Sequence, residues 1–127
     1  MNPDDRRYHP EHKWVRIGDD GLAVIGITDF AQRQLGEIVY FELPEAGSSI
    51  LAGQVYGEVE SVKSVSELYA PVTGQVIQVN SSLPDAPEIV NSDPYGEGWI
   101  VKVQIADTGE LNSLMSGAEY SNHVGEE

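Results

Sequence analysis

Glu58-Val59-Glu60-Ser61-Val62-Lys63-Ser64-Val65-Ser66-Glu67 is the stretch that decides how this 127-residue chain is read. Residues 54–60 and 67–70 have the look of two strands, and 61–66 of the turn between them. A lysine at the tip of a tight hairpin projects away from the body of a domain, so an arm attached to it could sweep a wide volume. Ser61, Ser64 and Ser66 are small and leave the tip uncluttered for a modifying enzyme. Taken alone, Lys63 is also a solvated cation that balances three nearby carboxylates. Lysine is scarce in the chain, with only Lys13, Lys63 and Lys102 present.

Outward from the hairpin, most segments are short strands punctuated by Gly and Pro. Residues 14–17 and 22–27 are apolar and β-branched, and Gly18-Asp19-Asp20-Gly21 between them predicts a hairpin turn. Thr28 as N-cap, Asp29 in the first turn, an apolar stripe through Phe30, Ala31 and Leu35, and Gly36 as C-cap predict one helix. Residues 37–43 form a strand ending at Pro44. Pro71-Val72-Thr73-Gly74 is a turn, 75–80 a strand, 81–98 mostly loop with a short helix near 87–90, and 99–105 a strong final strand. Residues 108–115 and 118–123 read as short C-terminal helices broken at Gly117. Gly53-Gln54-Val55 and Gly74-Gln75-Val76 each begin a strand, which suggests a doubled structure. Many short strands at close spacing predict a small sandwich or barrel rather than βαβ units. The expected organisation is one domain over 1–127, with frayed ends at 1–7 and 124–127.

Composition narrows the function. No cysteine is present, so disulfides, thiolate metal sites and a cysteine nucleophile are excluded. Seven basic against 21 acidic residues give a formal charge of −14, which disfavours nucleic acid and anionic membrane. Such a surface resists self-association, so a monomer is expected, and it can steer the protein onto basic patches of partners. Met1-Asn2-Pro3-Asp4-Asp5-Arg6-Arg7 has no apolar core of a signal peptide and is too acidic for a transit peptide, and no apolar run is long enough to span a bilayer. A cytoplasmic protein is expected. His9, His12 and His123 are scattered, Pro10 separates the first two, and a surface or capping role suits them better than a metal site. No nucleophile elbow, phosphate loop or dinucleotide fingerprint occurs. Nothing in the chain looks like an enzyme's active site.

Glu60-Ser61-Val62-Lys63 followed by Ala70-Pro71-Val72-Thr73-Gly74 resembles the lipoylation signature of the glycine cleavage H-protein family. The resemblance runs in register through Tyr8 to Trp14, Gly26 to Gln32, Leu35 to Val39, Phe41 to Pro44, Val79-Asn80, Asn91 to Tyr95, Gly98-Trp99 and Glu119-Tyr120. Related lipoyl domains of acyltransferases usually carry Asp-Lys-Ala, and biotin carriers place Met on both sides of the lysine; here the flanks are Val62 and Ser64. The resemblance implies a mainly β carrier fold of the lipoyl/biotinyl type, with one internal helix and short C-terminal helices. It implies lipoate in amide linkage on Lys63, as N6-lipoyllysine, with Glu60 and Gly74 recognised by a lipoate-attaching enzyme. It further implies a carrier rather than an enzyme. Such a carrier takes the aminomethyl group of glycine from glycine decarboxylase (P protein) to an aminomethyltransferase (T protein), and reducing equivalents to dihydrolipoamide dehydrogenase (L protein). By family position, Ile27, Leu35 and Glu67 belong to a cleft that shelters the loaded arm; ordinary core and surface roles fit them equally well. Ser64 stands where the family often has Ala. Lys13 stands where it commonly has Glu, a residue thought to help hold the loaded arm. A lipoyl relay to other lipoyl proteins, a lipoyl domain of another complex, and an unmodified binding module are the alternatives.

Overall fold

The computed structural model describes residues 3–125. Nine strands follow in order: β1 (Arg7–His9), β2 (Lys13–Ile17), β3 (Ala23–Ile27), β4 (Ile38–Glu42), β5 (Ser49–Ile50), β6 (Val55–Ser61), β7 (Val65–Tyr69), β8 (Gly74–Val79) and β9 (Val101–Ile105). Helix α1 (Asp29–Leu35) lies between β3 and β4, α2 (Ile89–Ser92) between β8 and β9, and α3 (Gly117–Val124) closes the chain after a 3-10 turn at Thr108–Ser113. The strands form a six-stranded sheet ordered β1-β2-β3-β9-β8-β5 and a three-stranded sheet ordered β4-β6-β7. Every pairing between named strands is antiparallel. This is the mainly β sandwich that the sequence implies.

Alternation along the strands builds the core. Val15, Ile25, Ile27, Val76, Val101 and Val103 of the larger sheet pack in one cluster with Ile38, Phe41, Val59 and Leu68 of the smaller. Each such burial stabilises by roughly 1.5–3 kcal/mol before chain entropy is counted. Strand β3 is buried along its whole length because both of its faces are covered. Its Val24 joins a second cluster with Tyr8, Trp14 and Tyr120 under α3. There the Tyr8 and Tyr120 rings stack at 5.0 Å, and Trp14 Nε1 donates to the Pro94 carbonyl at 3.0 Å. The Arg6 guanidinium lies 4.6 Å over the Trp14 ring and binds Asp5, whose carboxyl it holds below its usual range.

Several local expectations are corrected. The hairpin turn is shorter than 61–66, because β6 runs through Ser61 and β7 starts at Val65. Gly74 is the first residue of β8 rather than the end of a turn, and it has no positive φ. It must be glycine for another reason: a Cβ there would lie 2.3 Å from the Gln104 carbonyl oxygen on β9. The break between the C-terminal helices falls before Gly117. Leu114 is extended, and Ser116 and Glu119 form a reciprocal capping box that begins α3 at Gly117 itself. The first of these helices is a 3-10 helix and ends at Ser113 rather than at 115. The repeated motif at Gly53 and Gly74 does lead into a strand each time, β6 in the smaller sheet and β8 in the larger. Of the ends expected to fray, Arg7 lies in β1 and Val124 in α3, while residues 1, 2, 126 and 127 lie outside the described residues.

Candidate functional site

The β6–β7 hairpin carries Lys63 on the three-residue turn 62–64, and all three residues are exposed. Ser61 makes the turn tight. Its backbone N–H donates to the Ser64 carbonyl at 2.8 Å, and its hydroxyl oxygen accepts from the Ser64 and Lys63 amides at 3.2 and 3.4 Å. A serine that bonds its own turn in this way favours a bend over continued strand. The Val62 amide donates to the Glu37 carbonyl at 3.0 Å, which ties the hairpin to the segment after α1.

Helix α1 is placed so that its carboxyl end meets the lysine. Thr28 caps its first turn through Ala31 N–H, and Gly36 ends it at φ 77°, a left-handed conformation that glycine adopts without strain. Asn91 fixes this end, its amide donating to the Gly36 carbonyl at 2.8 Å while its oxygen accepts from Ile38 N–H at 2.9 Å. A side chain at position 36 would begin 3.4 Å from Lys63 Cε. That is ordinary van der Waals contact, so it is the positive φ that favours glycine here, and the lysine ammonium lies where the helix dipole is negative.

Beyond α1 runs a groove of about 420 Å³ between the helix and the edge strand β7. Its apolar wall is Ile27, Phe30, Ala31, Leu35, Val59 and Leu68, and its polar rim is Glu11, His12, Lys13, Gln34, Ser66, Glu67 and Tyr69. Three residues named from the sequence, Ile27, Leu35 and Glu67, thus come together along one groove. Glu60 lies on β6 opposite Tyr40 and Val65, close to the tip, whereas Gly74 is in the other sheet.

Two more rim residues define this corner: His12, not assigned there from the sequence, and Lys13, which resemblance put at an arm-holding position. His12, expected at the surface or in a cap, has φ 71°, the only positive φ outside glycine among the described residues. Its Nδ1 lies 2.7 Å from the Tyr120 hydroxyl, which is 2.8 Å from Thr28 Oγ1, so α3 is fastened to the groove through this ring. Burial, then the charge of Lys13, hold the His12 imidazole below its ordinary range. Lys13 is only 7 % exposed; its ammonium donates to the Glu11 carbonyl at 3.0 Å, and burial lowers its pKa. A positive φ on a non-glycine residue was the one structural signal for this corner, and no sequence pattern announces it. Among the described residues no group of His, Asp or Glu is arranged to hold a metal, and no helix is long and apolar enough to cross a membrane.

The family described as glycine cleavage H-protein matches residues 6–127. The chain is 54 % identical to the glycine cleavage system H protein of Marinobacter nauticus over 125 residues, covering 98 % of this chain and 96 % of that one. It is 53 % identical to that of Brevibacillus brevis over 124 residues, covering 98 % of both. A crystal structure of a glycine cleavage system H protein from Mycobacterium marinum superposes with a TM-score of 0.89 at 40 % identity, covering 97 % of this chain and 98 % of that one.

Proposed function

The chain belongs to the glycine cleavage H-protein family, and from that premise we propose that it carries lipoate on Lys63 as the mobile component of glycine cleavage. The observation that carries the assignment is the placement of the three lysines. Lys63 stands exposed on a closed three-residue turn. Lys13 is buried, and the Lys102 ammonium sits 5.3 Å over the Trp99 ring within β9. Only Lys63 offers its amine to a modifying enzyme without disturbing a strand.

The residues around it suit the group. The lysine stem lies against the carboxyl end of α1, and α1 is one wall of the groove. The apolar wall from Ile27 to Leu68 matches a hydrocarbon arm, and seating it there would remove apolar surface from water. When attached, lipoate supplies a redox-active dithiolane that takes up the one-carbon amine unit and two electrons. This chain's own work is mechanical. Ser61 holds the turn, Val62 and Ser64 leave the tip open, and the groove excludes water from whatever rests in it. No catalytic group is assigned to it. Its partners on this reading are the P, T and L proteins of the system and the enzyme that attaches lipoate, with Glu60 beside the tip and Gly74 shaping the sheet beneath as contributors to recognition.

Lys63→Arg tests the assignment. The exchange is at an exposed turn, so stability should change by less than about 0.5 kcal/mol, while lipoylation and carriage disappear. A Lys63→Arg protein that still accepts lipoate would contradict it.

A further inference from the structure

Hydrophobic side chains surround the turn that bears Lys63. Val62, on the turn, and Val65, at the start of β7, are the two most exposed large hydrophobic side chains among the described residues, at 67 % and 59 %. Val65 pairs with Glu60, and Glu60 with Tyr40, so these three share the outer face of the small sheet, away from the core-facing Phe41 and Val59. Strand β4 steps two residues, from Ile38 to Tyr40, while β6 steps one, from Ser61 to Glu60. Val39 is the extra residue of this bulge, and it is exposed like Tyr40 beside it. The outcome is a carboxylate flanked by an aromatic ring and valines, immediately beside the lysine turn. Solitary exposed hydrophobics are ordinary, whereas a contiguous group rimmed by charge marks a surface that another protein covers. The next row on this face, Glu42, Glu58 and Glu67, is wholly carboxylate and lies roughly 7 Å farther from the tip.

Resting on the reading that Lys63 is lipoylated, we propose that Val39, Tyr40, Val62 and Val65 are the docking surface for the enzyme that acylates Lys63, which meets them with an apolar rim and a cation opposite Glu60. Reach selects this occupant. An acylating enzyme must bring an activated carbonyl carbon against Nζ itself, so its active-site mouth closes on the turn and on what lies beside it. Enzymes that act on the sulfurs work at the far end of the arm and need no contact with the outer face next to the tip. Charge complementarity sets the cation, because Glu60 has no cationic partner among the described ion pairs. Apolar neighbours that exclude water strengthen such a contact. Ser66, next to Val65, pairs with core-facing Val59 and lines the groove, so an enzyme seated on the outer face leaves the groove open.

The test is steady-state lipoylation of the unmodified full-length protein by the attaching enzyme, with the protein as the varied substrate. Tyr40→Thr should raise KM about tenfold, as for a tyrosine lost from the centre of an interface, and Val65→Thr should raise it less, with kcat held in both. Threonine keeps strand propensity, so a thermal scan should show both variants folded as wild type. Ile77→Thr, at a comparably exposed position on β8 of the other sheet, should keep the wild-type KM. Once fully lipoylated, the Tyr40 and Val65 variants should serve glycine decarboxylase with unchanged KM. Three results overturn the proposal and leave the carrier reading intact: lipoylation kinetics equal to wild type, a rise as large in Ile77→Thr, or an equal rise with the decarboxylase. Absence of the adduct from Lys63 of the wild-type protein overturns the carrier reading, and this proposal with it.

Discussion

At the scale of single residues, Ser61 and Gly36 do more for the site than their size suggests. Ser61 closes the turn with its backbone and side chain together, which fixes where Lys63 points. Gly36 ends α1 beside the Lys63 stem at a positive φ that a side-chain-bearing residue would adopt only under strain. Glu60 works differently. It pairs across β6 with Val65 and Tyr40, is partly exposed, and has no cationic partner among the described ion pairs. A charge placed so can be read by an approaching enzyme at little cost to the fold. Glu60→Gln should therefore slow lipoylation severalfold while the melting temperature stays put. Lipoylation kinetics and a thermal scan on the same preparation check this. An unchanged rate would reduce Glu60 to an ordinary surface charge.

The scale of elements is where sequence and structure part company most. Strands β2, β3 and β9, helix α1 with both of its caps, and the hairpin around Lys63 were legible because each carries a period or a punctuating residue. Strands β1 and β5 were not. They have three and two residues, too few for a period, and exist because a longer strand is beside them: β1 on β2, with Tyr8 also bridging Met115, and β5 on β8. Gly74 shows a related limit. Its glycine was legible, but the physical reason for it, close approach of β9, is a tertiary contact that the sequence does not display. Ile27, Leu35 and Glu67, and the position of Lys13, were tied to the arm by resemblance, whereas His12 entered the groove through a backbone turn that residue types do not signal. Gly74→Val should accordingly cost about 1–3 kcal/mol through overpacking, read as a lower denaturation midpoint. A midpoint equal to wild type would mean that β8 and β9 can separate without penalty.

For the whole molecule, charge is the dominant property. The formal charge is −14, and the ion pairs among the described residues are Arg6–Asp5 and Arg33–Asp29. The small sheet that bears the hairpin sets Glu42, Glu58 and Glu67 directly across from one another on its three strands. Like charges in such register oppose pairing, so the row is a cost to the fold that suits a surface meant for basic partners. A carrier that visits several enzymes must bind each weakly and leave quickly, and long-range attraction speeds arrival without tightening the complex. Screening sets in beyond roughly 8 Å at physiological ionic strength. The KM of glycine decarboxylase for the lipoylated protein should therefore rise with salt while kcat holds, and free lipoate should show no such rise. Equal losses for both would leave the acidic surface as a solubility device. All of this depends on one covalent fact, and peptide mapping by mass spectrometry of protein isolated from its own cells reads it most directly. The lipoyl adduct should be found on the peptide containing Lys63 and on neither Lys13 nor Lys102; an adduct on either of those, or none in cells that lipoylate other proteins, would contradict the account.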